Sequence, residues 1–514
     1  MGEKITDLDE IRRKVNPRKE EEENRLGGGA PPSPPELTNA EIERFLNANE
    51  LGDGELYHRR NRDEVLHNKS EARWYVWQGH HYQLDIMDRS KALVENVCCA
   101  YGQLLNSVCT AINAAAEAGE KPTHAQIKLR AKLTERIKRL RSTTGVAHCL
   151  EFAASKEDPM AISGEEMDCK PFKLPCPNAV VNLKTGRGAP GRRDDYLVRA
   201  CRSEWLGLDA PRPKWEAALE QIFLGKQDVI RFFKRVLGLA LIGEVIEHAI
   251  IILWGAGANG KSLIMETISH VLGDLAGTIP TEMLLNQGRV RNSAGPSPDM
   301  ASLRGRRVII GHETDEGTRW ADGRVKQLTG GDRITYRSPH DKYMQSFVPS
   351  HTLFLLTNNR PGAPGNDLAL WRRVHLIEFG AQFVAHPKEK NEFPINKDLA
   401  KELREEGPGI LAWMVEGCLE WQREGLNPPA AVIEATSKYQ DEEDLLGQFI
   451  DDCCELGEKF EGGATALFNR FCSWFEENVG KKHPSQKTFG AWMVRRFTRS
   501  DKKPRVYYGL RLSD

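Results

Sequence analysis

The stretch Leu253–Met265, "LWGAGANGKSLIM", decides how this chain is read. Gly255, Ala256, Gly257, Ala258, Asn259 and Gly260 lead into Lys261 and Ser262, the order of a phosphate-binding loop. Small residues let backbone N–H groups wrap a phosphate chain, and the lysine reaches the terminal phosphates. The run His248 to Trp254 ahead of the loop is apolar and isoleucine-rich, which predicts a buried strand of a parallel sheet. Behind it, Ser262 to Leu272 reads as a helix stopped by Gly273, and the helix N-terminus adds positive potential. Strand, glycine loop and helix are the context the motif needs, so residues 255–262 are assigned to the phosphates of ATP, with the Ser262 hydroxyl on Mg2+.

Downstream strands supply the chemistry. "RVIIGHE", Arg307 to Glu313, ends in a carboxylate, so Glu313 is the expected general base and a metal contact; Asp315 or Glu316 is the further choice for the metal. His312 stands where a second acid is common, which leaves the route of metal coordination open. "TLFLLTN", Thr352 to Asn358, ends in an amide placed to orient water or sense a γ-phosphate. Arg373 in "WRRVHLIEF" precedes another apolar strand and is the expected finger into a neighbouring copy's site, with Arg372 the competitor. Between these strands, Ile334 and Tyr336 alternate before "SPHDK", and Tyr343, Gln345 and Phe347 after it, predicting a hairpin. Its tip residues His340 and Lys342 either grip a sugar-phosphate backbone or are simply solvated.

The succession "GAGANGKS", "VIIGHE", "VKQLTGGD", "LLTNNRP" and "WRRVHLIEF" resembles the superfamily III helicases of the AAA+ class, in the phage, plasmid and poxvirus primase-helicase branch. The preceding "RWYVWQGHHY", "NLKTG" and "LIGE" look like the domain ahead of the ATPase in that branch. The resemblance implies an ATP-hydrolysing, homo-hexameric ring that threads single-stranded DNA 3′ to 5′ and acts on forks in phage, prophage or plasmid replication, with a primase or initiator as partner. It also implies roles for Lys261 and Ser262 at phosphate and metal, Glu313 as catalytic acid, Asn358 as sensor, Arg373 as finger and Lys326 as a further nucleotide contact.

The flanks fit a modular chain of 514 residues. Residues 1–38, with "RKEEEEN" and "GGGAPPSPP", read as a tether, and its position near the start suggests one half of a longer design. Residues 39–214 form an expected α+β accessory, oligomerising domain; 215–380 the α/β ATPase with a parallel sheet; 381–440 a helical connector; 441–514 a winged-helix-like DNA-binding domain. "RWYVWQGHHYQLD" reads as a hairpin, and "THAQIKLRAKLTERIKRLRS" as a basic helix that either touches phosphates or presents a solvated face. Overall charge is balanced, 72 Lys and Arg against 73 Asp and Glu, so only local clusters inform on a polyanion. From 481 to 514 there are ten lysines and arginines against two acids; Arg495, Arg496, Lys502, Lys503 and Arg505 are the expected duplex contacts. The eleven scattered cysteines show no zinc spacing and fit a reducing cytoplasm, and no apolar run is long enough to span a membrane. Two rival readings stay open: a primase-helicase, and an initiator that uses ATP only to assemble on DNA.

Overall fold

The computed structural model describes residues 37–155, 160–286, 297–312, 318–337, 344–363, 365, 367–481 and 483–513. Its first unit begins with α1 (Asn39–Asn47), where Thr38 and Glu41 cap each other's free backbone N–H groups. Helix α2 (Asn49–Asn61) follows, then β1 (Val65–Asn68), β2 (Arg73–Trp77) and β3 (Tyr82–Leu84). The expected hairpin is β2–β3, with Trp77 paired to Tyr82. Helices α3 (Val94–Glu117), α4 (His124–Leu140) and α5 (Thr143–Ala154) pack over it, and β4 (Ala161–Ile162) completes a sheet of order β3-β2-β1-β4.

Helix α4 is the basic helix, and several of its charges are paired with neighbouring helices. Arg136 pairs with Asp53 at 3.1 Å and donates to Asn49, Lys132 donates to Asn47, Arg139 pairs with Glu50, and Arg141 with Glu95. These contacts join α4 to α1, α2 and α3, so much of the apparent surplus is balanced inside the unit.

A small antiparallel sheet, Lys173–Pro175, Val180–Asn182 and Arg187–Ala189, leads to the central unit. The stretch from Trp215 to Gly243 reads as helical, and the chain forms two helices there, α6 (Pro213–Ile222) and α7 (Gln227–Ala240). The break falls at Leu224 and Gly225, whose φ of +53° and +72° no helix tolerates. Five strands follow: β5 (Ile250–Trp254), β6 (Ala276–Ile279), β7 (Val308–His312), β10 (Thr352–Thr357) and β11 (Val374–Glu378). Between β5 and β6 runs α8 (Lys261–Leu272); between β7 and β10 lie α9 (Asp322–Leu328) and the antiparallel pair β8 (Ile334–Tyr336) and β9 (Gln345–Phe347).

The sheet is wholly parallel, in the order β11-β5-β10-β7-β6. Ile250, Ile251, Ile252 and Leu253 are all fully buried, as a strand covered on both faces requires. On one face, α7 crosses α10 (Gly407–Glu424) at glycine contacts, where a Cβ on Gly238 would sit 2.0 Å from the Cys418 nitrogen. Trp215 and Trp413 meet edge to face at 5.4 Å in that core, and Trp421 is buried there too. Helix α11 (Ala430–Glu443) lies against β11, where the Thr436 hydroxyl accepts from the Leu376 N–H.

The last unit is α12 (Leu445–Cys453), β12 (Cys454–Gly463), α13 (Ala464–Asn478), α14 (Gln486–Val494) and β13 (Val506–Leu512). Helix α12 stops at Cys453, and β12, antiparallel to β13, follows it directly. Phe449, Phe471 and Phe489 fill its core.

Candidate nucleotide site

Strand β5 and the helix α8 hold the glycine loop between them. Gly255 and Gly260 take φ of +156° and +89°, and Ala258 takes +58°, a left-handed residue of the kind that curls a loop back on itself. At Gly260 a side chain has no room: its Cβ would lie 2.6 Å from Ile222 Cδ1. The loop is also pinned from outside, because Asn259 donates to the Phe379 carbonyl at 3.2 Å and the Phe383 N–H donates to the Ala258 carbonyl at 2.8 Å. Ser262 is exposed at the start of α8.

Lys261 is 6% exposed and curls into this loop. Its ammonium donates to the carbonyls of Gly255 and Ala256 at 2.6 and 3.2 Å, and to the side-chain oxygens of Asn259 and Asn358, both at 3.1 Å. The last contact joins two strand ends. Thr357 of β10 is in register with Trp254 of β5, so Asn358 emerges beside the loop, and its carbonyl accepts from Trp254 Nε1 at 3.0 Å. An anion entering the loop would compete with these oxygens for the ammonium.

Strand β7 delivers His312 to the same end of the sheet, one strand beyond β10. Glu313, Asp315 and Glu316 lie outside the described residues, as do the hairpin-tip residues His340 and Lys342. Thr281 donates its hydroxyl to the His312 carbonyl, tying β7 to the segment after β6.

Arg373 lies at the other end. Its carbonyl accepts from Ile250 N–H, at the start of β5, five residues from Gly255 or roughly 16 Å along the strand. Its guanidinium is buried, donates to the Ala369 carbonyl and faces His248 Nδ1 at 3.4 Å. Burial, then the adjacent Arg372, pushes it below the ordinary arginine value. Arg372 is exposed.

Lys326 pairs with Asp367 at 2.5 Å. Burial raises the Asp367 carboxyl, but the Lys326 ammonium and the Leu370 N–H outweigh it and hold the group below the usual carboxylate range. Asp367 caps the short helix Leu368–Trp371 that presents both arginines, a role its position in the sequence did not announce.

In the C-terminal unit, Arg499 bridges to Tyr507 and the Ser500 N–H donates to the Val506 carbonyl, so Lys502, Lys503 and Arg505 sit exposed on a hairpin tip. Arg495 is exposed at the end of α14, whereas Arg496 reaches back to Asp444, the cap of α12. Sequence reasoning passed over Arg360, two residues after Asn358. Its guanidinium lies 4.6 Å from the Trp254 ring centre and 5.1 Å from that of Tyr439, and pairs with Glu442.

A glycine loop, a lysine inside it and an amide just past the adjacent parallel strand give this α/β protein a candidate phosphate-binding site. Comparison with known proteins places it more narrowly. A family model described as "D5 N terminal like" matches residues 54–224. The chain is 25% identical over 374 residues to a protein titled "Putative helicase" from Acanthamoeba polyphaga mimivirus, covering 69% of this chain and 38% of that one. It is 30% identical over 260 residues to a protein of the same title from Frog virus 3, covering 48% of this chain and 26% of that one. It is 25% identical over 154 residues to a protein titled "Putative primase" from African swine fever virus, covering 30% of this chain and 16% of that one. The chain therefore carries a D5 N-terminal-like segment and is a distant homologue of viral proteins titled as putative helicases and primases. It spans less than two fifths of the length of these relatives. A structure titled "The A form apo structure of NrS-1 C terminal region-CTR" covers 72% of this chain and 90% of its own, at 11% identity and a TM-score of 0.41. Among the described residues, no helix is long and apolar enough to cross a membrane.

Proposed function

We propose that the chain is the ATPase motor of a DNA helicase of the superfamily III, AAA+ type, assembling as a ring on single-stranded DNA and serving replication of a virus-like or other mobile element. The observation that carries this reading is the Lys261–Asn358 contact at 3.1 Å between the glycine loop and the end of the adjacent parallel strand. The loop's geometry suits a triphosphate, with left-handed residues curling the backbone around the Lys261 ammonium ahead of the α8 N-terminus. Mg2+ would be held by the Ser262 hydroxyl together with Glu313, and Glu313 would take the proton of the attacking water.

Arg373 and Arg372 sit at the end of the sheet away from their own glycine loop, so an arginine acting on phosphate serves a neighbouring copy. Of the two, Arg372 has the exposed guanidinium. The helix–strand–helix–helix–strand order of the last unit, with lysines at its hairpin tip, supports a winged-helix contact to duplex DNA beside the fork. Residues 39–214, 215–380, 381–440 and 441–514 serve as accessory, motor, connecting and DNA-binding parts, with polarity 3′ to 5′.

Particle images of the purified chain with single-stranded DNA and a nonhydrolysable ATP analogue test the assembly. Closed rings around the strand are expected; single copies that hydrolyse ATP at full rate overturn the reading.

A further inference from the structure

The segment after Asn358 is fastened, residue after residue, to the last turn of α11. Arg360 pairs with Glu442; the Pro361 carbonyl accepts from the Tyr439 hydroxyl; the Ala363 N–H donates to Glu443 at 2.9 Å; the Gly365 carbonyl accepts from Gln440 at 3.0 Å. At Gly365 a Cβ would stand 2.5 Å from the Asp444 Cα. The segment that follows β7 joins from the other side: the Trp320 N–H donates to the Gly362 carbonyl, the Gly362 N–H donates to the Thr318 carbonyl, and Trp320 Nε1 donates to the Tyr439 hydroxyl at 3.1 Å. Helix α11 thus ends where the two segments leaving β7 and β10 meet.

The same turn begins the C-terminal unit. Asp444 closes α11, caps α12 through the Gly447 N–H at 3.0 Å and accepts from Arg496 of α14. From the glycine loop to the C-terminal unit the connection is therefore continuous: Lys261 to Asn358, Asn358 and Arg360 to Trp254, Arg360 to Tyr439 and Glu442, and Asp444 to Arg496. A guanidinium stacked between two rings and held by a carboxylate is a stiff joint, because its planar fork has little rotamer freedom to lose.

We propose that Arg360 is a positioning residue that couples occupancy of the glycine loop to the DNA affinity of the C-terminal unit, through its clasp on Glu442 and Tyr439. The proposal rests on the reading of the loop as an ATP site and of the last unit as a duplex-DNA contact. Nucleotide that draws Lys261 away from Asn358 frees the Asn358 side chain, shifts the segment Arg360 anchors, and moves the last turn of α11 on which α12 begins. By linkage, duplex DNA bound by the C-terminal unit changes nucleotide affinity by the same factor.

The test measures two affinities of the full-length chain, for a labelled DNA duplex with and without a nonhydrolysable ATP analogue, and for the analogue with and without duplex. The parent is expected to show the same ratio in both directions, at least about fivefold. In Arg360→Gln and Glu442→Gln the ratio falls toward one, while each separate affinity and the melting temperature stay near the parent's. Arg360→Lys, which keeps the charge over the rings but loses the fork, is expected to fall between. A structural role alone lowers melting temperature and leaves the ratio intact. If Arg360→Gln does not fold, Glu442→Gln and Tyr439→Phe decide alone, since Glu442 is exposed on one side. Folded variants that keep the parent's ratio overturn the proposal. A parent that binds both ligands with a ratio of one overturns it and leaves the functional reading standing. A parent that binds no nucleotide overturns both.

Discussion

The Lys261 ammonium donates to the Asn358 side-chain oxygen at 3.1 Å, joining the first residue of α8 to the residue just past β10, 97 positions away. Each residue depends on the other's strand being in register, and the ladder Leu353–Ile250 through Thr357–Trp254 supplies that register. A slip of one position would send Asn358 to the opposite face.

Lys261→Ala removes the cation that follows the transferring phosphoryl charge. ATP turnover is expected to fall at least about 100-fold, the scale of losing one preorganised donor at a developing charge. Steady-state phosphate release measures it, and circular dichroism confirms the fold. Gly260→Ala is expected to act differently. With φ at +89° and Ile222 2.6 Å from the new Cβ, it should cost stability by about 1–2 kcal/mol and weaken ATP binding as well.

The paired arginines separate by burial. Arg373→Ala leaves the Ala369 carbonyl and a buried pocket unfilled, so both melting temperature and ATPase should drop. Arg372→Ala should leave melting temperature and ATP affinity near the parent's while abolishing hydrolysis. Mixing Arg372→Ala with Lys261→Ala chains restores part of the activity when the site is shared between copies. No recovery from the mixture counts against sharing.

Much of the motor was legible because its strands are short apolar runs ending in polar residues. Strands β5, β7 and β10 lie within two residues of the apolar runs that announce them, and β11 starts directly after Arg373. Other features were hidden because their partners are remote in sequence. Helix α4 read as a free basic surface, yet Arg136 finds Asp53 83 positions away and Arg139 finds Glu50 89 away. Strand β12, "CELGEKFEGG", is mostly exposed and charged, so it carries no alternation; it is held by β13, some fifty residues on. Arg360 and Glu442 are 82 positions apart. The break between α6 and α7 was marked only by Leu224-Gly225, which a periodic pattern passes over.

The Arg136–Asp53 pair has side chains only 10% and 4% exposed. Burial raises the Asp53 carboxyl, and Arg136 opposes that effect. Arg136→Ala strands a buried acid and should cost about 3 kcal/mol, seen in a denaturant midpoint at pH 7. Asp53→Asn in the same background should recover part of the loss.

The wing tip separates from its neighbour in the same way. Replacing Lys502, Lys503 and Arg505 together by Ala should weaken duplex binding and lower the salt slope by up to about 2.7, at about 0.9 per phosphate contact. Arg496→Ala should leave that slope nearly unchanged, because its guanidinium is given to Asp444. Anisotropy titrations across a salt series check both.

His351 is buried and His375 half-buried, and burial pushes each imidazole down to about 4. In the unfolded chain they take up protons near pH 6.5, so the unfolded state binds more protons between pH 6.5 and 4. Stability is therefore full above about pH 6.5 and falls as the pH drops toward 4. His375→Phe, which keeps a ring against Phe232, should flatten that decline relative to the parent in denaturant titrations at pH 7 and pH 5.

The most direct measurement is strand displacement from a forked DNA by the purified chain, followed alongside ATP turnover and repeated with Lys261→Ala. The account predicts DNA-accelerated hydrolysis and ATP-dependent displacement in the parent, both lost in the variant. Hydrolysis with no strand released, or displacement that survives without Lys261, contradicts it.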